Sequence, residues 1–470
     1  MIQYIIKRIL YFIPTLVIIS LAIFFLSKST PGDPLGDFIQ LQESTNFGSE
    51  NQKEKEYCNK YRVLNLDKPS FYFSLRPLPL DDEIREVCNY NKRQWFKTMS
   101  LNYGDYNKVK RYNQQLEDLI IRIQSIPDTI SGKNKIARIL NKLAFNTNPK
   151  RINLELIEVS KDINSIYSFD SLNIGISALR ASFEELNINQ NSLRKWMPGF
   201  HWYGLDCQYH LWVSKLIILD FGVSLKDGQK VFNNIWQAFK WTGLMVLMSF
   251  ILTLFVGIPL GVFLASVNNS KKDKIISMVL YLLYAIPIFW LATLFVVFFT
   301  TNEYGSWTNL FPSILPLNFS RDDTFFVKFL ASFKFLILPV ICIALHSIAY
   351  IARLTRSSII DQMELLYVRT ARSKGISSRR IIWKHSFRNA MIPILSLLIA
   401  AIPASIAGSL VIEVIFNIPG MGRLMYESVY ANDWPVLYGV VMLIGVFTVF
   451  IYLIGDIFYR VINPKITYSK

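Results

Sequence analysis

Residues 367–390, YVRTARSKGISSRRIIWKHSFRNA, carry seven Arg or Lys and His385 without one acidic residue. A run of that sign and density does electrostatic work: it can hold an anionic lipid surface or the groove of a partner protein. Two carboxylates, Glu413 and Asp456, lie instead inside apolar runs. A charge at a bilayer centre costs at least about 2.5 kcal/mol, so each marks a functional or paired position. Elsewhere the chemistry is thin. His201, His210, His346 and His385 are scattered, and four cysteines make no metal-ligand spacing. Gly132–Lys133 lacks the earlier glycine and the following hydroxyl residue of a phosphate loop, and no H-E-x-x-H occurs. No Ser or Cys nucleophile stands beside an evident base. The expectation is a chain with no catalytic residue, no metal and no cofactor of its own.

The elements around these residues are hydrophobic. Apolar residues make up 52% of the chain, including 34 Phe. Six stretches approach or reach the roughly 20 residues of helix that cross a bilayer, near 9–26, 241–266, 275–300, 335–352, 391–416 and 436–459. Pro14, Pro259, Pro287, Pro339, Pro393 and Pro403 fall in or near them, which membrane helices tolerate when neighbours satisfy the freed carbonyls. Charge then orients the spans. One side would hold Lys7, Arg8, Lys271, Lys272, Lys274, nine Arg or Lys within 353–388, and Arg460, Lys465 and Lys470. The short loops of the other side hold only Arg321, Lys328 and Arg423. This is a positive-inside bias. It places both termini in the cytoplasm and accounts for most of the net charge of +16 without nucleic acid. "STPGDPLGDF" after the first span has no small-residue cleavage pattern, so that span is expected to be retained.

Between the first two spans the composition turns polar. Apolar residues recur there every three or four positions: Leu116, Leu119, Ile120, Ile123, Ile126; Ile136, Ile139, Leu140, Leu143; Ile152, Leu156, Val159, Ile163, Ile166; and Leu172, Ile176, Leu179, Phe183, Leu186. That spacing predicts four amphipathic helices, hence a soluble α-helical domain over 76–200 in an extracytoplasmic loop of about 29–238. Lys108, Lys110 and Arg111 could steer an acidic partner toward it. Cys58, Cys88 and Cys207 fall on that side, where a disulfide is permitted, but spacing does not choose the pair. Cys342 lies within a span.

The basic stretch reads as two short helices about a turn at Gly375, with Ser377 or Ser378 capping the second. "RTARSKG" followed by "KHSFRNA" resembles the cytoplasmic coupling loop of ABC importer permeases of the dipeptide/oligopeptide branch. Arg369–Thr370–Ala371 stands where that family has E-A-A, Gly375 matches its glycine, and His385, Phe387 and Arg388 fill its later I, L and P positions. "YIIKRILYFIPTLVIISLAIFFLSKSTPGDP", "LNLDKP", "LDFGVSL", "GIPLGVFLA", "IPIFWLATLF", "VIEVIFNIPGMGRLMYESVYANDWPVLYGVV" and "DIFYRVINPKI" follow the family in order. The resemblance covers residues 1–75 and 200–466 and leaves 76–200 outside.

It implies an all-α polytopic fold of six transmembrane helices with an inserted extracytoplasmic helical domain. The implied divisions are 1–75 (first span and start of the loop), 76–200 (insert) and 201–470 (core with five spans and a coupling loop near 353–390). The implied role is the transmembrane subunit of an ATP-driven peptide importer in a bacterial cytoplasmic membrane. Its partners would be a second permease subunit, one or two ABC ATPases that bind MgATP, an extracytoplasmic peptide-binding protein and the lipid bilayer. Coupling would fall to Tyr367, Arg369, Thr370, Ala371, Gly375, His385, Phe387, Arg388 and Asn389, with Ala371 packed against the ATPase. Glu413 would either line the pathway and meet a peptide amine or reach the interface. Pro419, Gly420 and Gly422 would belong to an outer gate. Asp456 and Arg460 would form an i,i+4 pair. Competing readings are a permease for another small solute such as a metal chelate, or a receptor with an external helical sensor. The receptor would want a cytoplasmic effector domain, whereas eleven residues follow Tyr459.

Overall fold

The computed structural model describes residues 2–29, 33, 35, 50–126, 132–164, 170–188, 193–312 and 325–462. The chain divides into two compact units, Met1–Thr30 with Phe221–Lys470, and Pro31–Asp220. The first helix, α1 (Ile2–Ser29), belongs to the former.

The Pro31–Asp220 unit holds α2 (Glu50–Val63), β1 (Phe73–Pro77), α3 (Tyr90–Tyr103), α4 (Tyr106–Gln124), α5 (Lys133–Leu143), α6 (Pro149–Asn164), α7 (Asp170–Ile188), β2 (Pro198–Trp202) and α8 (Gln208–Ile217). The apolar stripes form its core: Leu116, Leu140, Ile152, Leu156, Val159 and Leu179 have no exposed surface. Ile166 lies outside the described residues. Helix α3 adds Trp95, Met99 and Tyr103 to the same core. Gly104, in the left-handed region at φ 78°, ends α3, and Asp105 caps α4 by accepting from the Asn107 and Lys108 amides. Strands β1 and β2 pair antiparallel, Phe73 opposite Trp202 and Pro77 opposite Pro198. Five-residue strands bounded by proline carry little periodic signal, so the helical stripes do not announce this sheet. The sheet and the bond from Gln208 Nε2 to the Lys68 carbonyl (2.6 Å) join the two flanks of the segment. The unit therefore runs wider than 76–200. Cys58 pairs with Cys88 and Cys207 stays a buried thiol. Lys110 pairs with Glu83, and Lys108 and Arg111 with Glu185. The Lys110 ammonium holds the Glu83 carboxyl below the usual carboxylate range. These three cations are engaged within the unit, so they make no free positive patch.

The other unit continues with α9 (Val231–Ser266), α10 (Lys271–Ala285), α11 (Ile288–Thr300), α12 (Phe325–Met363), α13 (Leu366–Ser373), α14 (Phe387–Gly408), α15 (Leu410–Ile415), α16 (Met421–Tyr430) and α17 (Trp434–Ile462). Among the described residues, five helical segments are long and apolar enough to span a membrane: 6–29, 231–266, 332–363, 378–406 and 434–459. The third expected span is not one rod. It breaks into α10 and α11, bent by 90°; counted as one crossing, the pair makes six. Pro287 causes the break, since it forces Ile286 into an extended conformation (ψ 123°) and offers no amide to the preceding turn. Helices α9 and α12 pack through Gly257 and Gly261, a small-xxx-small pair. A methyl at Gly261 would stand 2.5 Å from the Ala352 carbonyl oxygen, and one at Gly257 would touch Ile351 at 3.4 Å.

Candidate functional site

The basic module hangs from the end of α12. After Met363 the chain turns into α13, whose Val368 and Ala371 are buried in a small apolar cluster with Ile381, packed by Met363 and Ile376. The helix ends in a complete Schellman motif: Gly375 N–H donates to the Arg372 carbonyl (2.9 Å) and Ile376 N–H to that of Ala371 (3.3 Å). Gly375 has φ 73° and open space around it, so it is glycine for its backbone, not for a neighbour. Ser377 occupies the next N-cap position without a side-chain cap bond. A helical turn (Ser378–Arg380) and a π turn (Ile381–Ser386) then run directly into α14, so the second arm is the root of a spanning helix. Of the residues expected to couple, Tyr367, Arg369, Thr370, Gly375, Arg388 and Asn389 are exposed, and His385 and Phe387 partly so. Ala371 differs: at 7% exposure it faces its own chain, which removes it from any docking surface. Leu366, 77% exposed, is an apolar side chain on the free face that the sequence reading passed over.

Glu413 neither lines an open space nor reaches a surface. It is fully buried. Its Oε1 accepts from Thr242 Oγ1 and Ser409 Oγ, both at 2.7 Å, and its Oε2 from the Arg423 backbone N–H at 2.8 Å. Thr242 Oγ1 in turn accepts from Met421 N–H (2.8 Å). The two side chains thus satisfy two of the free amides that open α16, and the partial positive charge of that helix end stabilises the carboxylate. Gly420 and Gly422 are present for closeness. A methyl at Gly420 would lie 2.4–2.6 Å from the Glu413 carboxylate, and one at Gly422 would lie 2.6 Å from Leu410 Cα. Pro419 is exposed beside them.

Asp456 pairs with Arg8 of α1; the Arg460 side chain lies outside the described residues. A clamp the sequence reading missed joins α12 to the start of α10. Arg356 grips Asp273 through Nε and Nη2 (2.8 and 2.7 Å) and reaches Asn268 Oδ1 at 2.9 Å. Asp273 is flanked by Lys271, Lys272 and Lys274 in sequence, which disguises it as a surface acid.

A cavity of about 220 Å³ opens between α9, α10, α12 and α14. Thr253, Tyr284, His346, Ser347, Tyr350 and Ser405 are among its lining. None of the residues singled out from the sequence contributes to it. The signal was available, since His346 is an ionisable residue inside a span. Among the described residues no group of His, Cys, Asp and Glu could hold a metal ion.

Residues 257–468 match the family described as the binding-protein-dependent transport system inner membrane component. The oligopeptide transport system permease protein AppB of Bacillus subtilis (strain 168) is 34% identical over 271 residues, 57% of this chain and 83% of that protein. The chain belongs to this family. A putative peptide transport system permease protein of Brucella abortus (strain 2308) is 35% identical over 274 residues, covering 57% and 82% of the two chains. The methionine ABC transporter MetNI, in an inward-facing conformation, is a solved structure that is 16% identical. It covers 49% of this chain and 96% of that one, at a TM-score of 0.39 that supports no finer comparison. As a family member, the protein is an integral inner-membrane component of a transport system, and its family's name ties it to a binding protein. The family match includes α13, Gly375, Glu413 and, from Tyr284 onward, much of the cavity.

Proposed function

We propose that this permease component carries short peptides across the cytoplasmic membrane as one of two membrane subunits. ABC ATPases bind and hydrolyse MgATP on its cytoplasmic side, and an extracytoplasmic binding protein delivers cargo. The placing of both termini and the basic module in the cytoplasm, and of residues 29–238 outside, rests on the asymmetry of Lys and Arg. The Cys58–Cys88 disulfide supports it, because such bonds persist in oxidising compartments. The peptide cargo rests on the names of the relatives. Mechanically, one observation carries the reading: α13 is fixed to α12 and to the root of α14 by the buried Val368, Ala371 and Ile381, while Leu366, Arg369 and Thr370 face outward. A short helix fastened on one face and free on the other is a lever. ATP-driven approach of the ATPases would move it as one piece with two spanning helices, switching the bundle between outward- and inward-facing states.

Cysteines at Thr370 and Ala371 test the lever. With a short bifunctional reagent, Thr370→Cys should cross-link to an ATPase subunit in the purified complex and Ala371→Cys should not. Cross-linking from Ala371→Cys alone, or from neither Thr370→Cys nor Leu366→Cys, would contradict this docking face.

A further inference from the structure

We propose that the cavity between α9, α10, α12 and α14 is a waypoint for the carboxylate end of a short peptide; this rests on the peptide reading above. Its size sets the first limit. At about 220 Å³ it holds the liquid volume of about seven waters. That lies below the roughly 300 Å³ at which drug-sized sites begin, so it receives one end of a peptide and not its length.

Its chemistry sets the second. Thr253 lines the cavity at 3% exposure, and its Oγ1 has no hydrogen-bond partner and stays enclosed until the side chain turns toward the cavity. A threonine within a helix can return its hydroxyl to the carbonyl four residues earlier, as Thr293 does to Phe289. Thr253 does not, and an orphaned buried hydroxyl is destabilising until something accepts from it. Ser347 and Tyr350 place further hydroxyls on the same wall. His346 stacks on Tyr284, centroids 4.6 Å apart. The Arg353 guanidinium lies 4.6 Å from the centroids of both Tyr284 and Tyr281, so a cation is held directly behind one wall. No acidic side chain among the described residues lines the cavity. Among the described residues the buried carboxylates of this unit are taken: Glu413 by Thr242, Ser409 and Arg423, Asp273 by Arg356, Asp433 by Ser224 and the Leu225 amide, and Asp456 by Arg8. An ammonium end entering here finds hydroxyls and aromatic faces but no counter-charge. A carboxylate end finds donors, one of them waiting, and a cation at its back in a medium that screens little.

The test reads occupancy directly. In the complete transporter, with Cys207→Ser and Cys342→Ala in the background, Ser347→Cys is labelled by a small thiol reagent without binding protein, in the presence of Ala-Ala or its C-terminal amide. Ala-Ala should slow labelling at least about fivefold and the amide less than about twofold. Thr253→Val, which keeps the shape and removes the hydroxyl, should raise the half-protecting concentration of Ala-Ala about five- to tenfold, the worth of one hydrogen bond. Ser405→Cys serves as reporter if Ser347→Cys fails to assemble. Equal protection by acid and amide, or protection indifferent to Thr253→Val, would overturn the assignment. Uptake of labelled Ala-Ala by the parent complex is measured alongside. Uptake without protection removes this site and leaves the peptide reading standing, whereas absence of both removes the two together.

Discussion

Replacing Glu413 by glutamine separates a structural carboxylate from one that meets cargo. In the native site three donors converge on two oxygens, with distances of 2.7, 2.7 and 2.8 Å and no solvent. Glutamine keeps the shape but turns one oxygen into an NH₂. If its remaining oxygen stays with Thr242 and Ser409, the NH₂ confronts the Arg423 N–H. A buried donor is then left unpaired at about 1–3 kcal/mol, and two charge-assisted bonds become neutral ones at about 1 kcal/mol each. If the amide flips, Arg423 N–H is satisfied but the two hydroxyls must turn away, with a similar loss. The expected destabilisation is about 3–5 kcal/mol. Thr242→Val removes one donor to Glu413 and the acceptor of Met421 N–H, which predicts about 2–4 kcal/mol. The double variant should lose clearly less than the sum, because both substitutions empty one network. Unfolding of the purified chain in mixed micelles, titrated with a denaturing detergent and followed by circular dichroism, measures all three. A Glu413→Gln loss under about 0.5 kcal/mol, together with a selective defect for peptides bearing a free amine, would refute the structural role and return Glu413 to the pathway.

The remaining predictions concern the lever and the Pro31–Asp220 unit. Gly375→Val must hold a β-branched residue at φ 73°, a strain of about 1–3 kcal/mol, or else unwind the end of α13; ATP hydrolysis should continue while transport falls at least tenfold. Gly375→Asn, tolerant of that region, should retain most coupling, and equal behaviour of the two variants would contradict the backbone argument. Removing the Cys58–Cys88 bridge, which spans 30 residues, should destabilise its unit by about 3–4 kcal/mol on the chain-entropy account. In intact cells both sulfurs should resist thiol labelling until a reductant is added; labelling without reduction would count against an extracytoplasmic position. Replacing residues 79–196 by a short Gly/Ser turn keeps β1 and β2 paired and should weaken binding-protein affinity without affecting ATPase association. Unchanged affinity would show that the insert serves another purpose.

Long periods were legible in the sequence and close encounters were not. The stripes of 116–186 repeat every three or four residues, and the structure buries them with few exceptions because a helix face has nowhere else to put them. Helix α3 was equally readable through Trp95, Met99 and Tyr103, spaced by four, but its polar surroundings hid it. Gly257 and Gly261 stood in plain view as a small-xxx-small pair. Gly375 was readable because a Schellman turn is local, its partners lying within five residues. What failed was anything joining distant segments. Thr242 and Glu413 are separated by 171 positions, Asp273 and Arg356 by 83, and Arg8 and Asp456 by far more. Asp456 reaches Arg8 across the bundle, whereas its expected i,i+4 partner Arg460 has its side chain outside the described residues. Ala371 was assigned outward because a motif gives residue types but not which face of α13 the cluster around Ile381 will cover.

The central claim is that this chain couples a partner's ATP hydrolysis to peptide movement. It is tested most directly by uptake of a labelled dipeptide into proteoliposomes holding the chain, its sister subunit and the ATPases, with binding protein added on the extracytoplasmic face. Accumulation that requires MgATP and is lost with Gly375→Val, while hydrolysis persists, is the predicted result. Dipeptide uptake that ignores ATP, or no uptake from a complex that hydrolyses ATP and binds its binding protein, would contradict it.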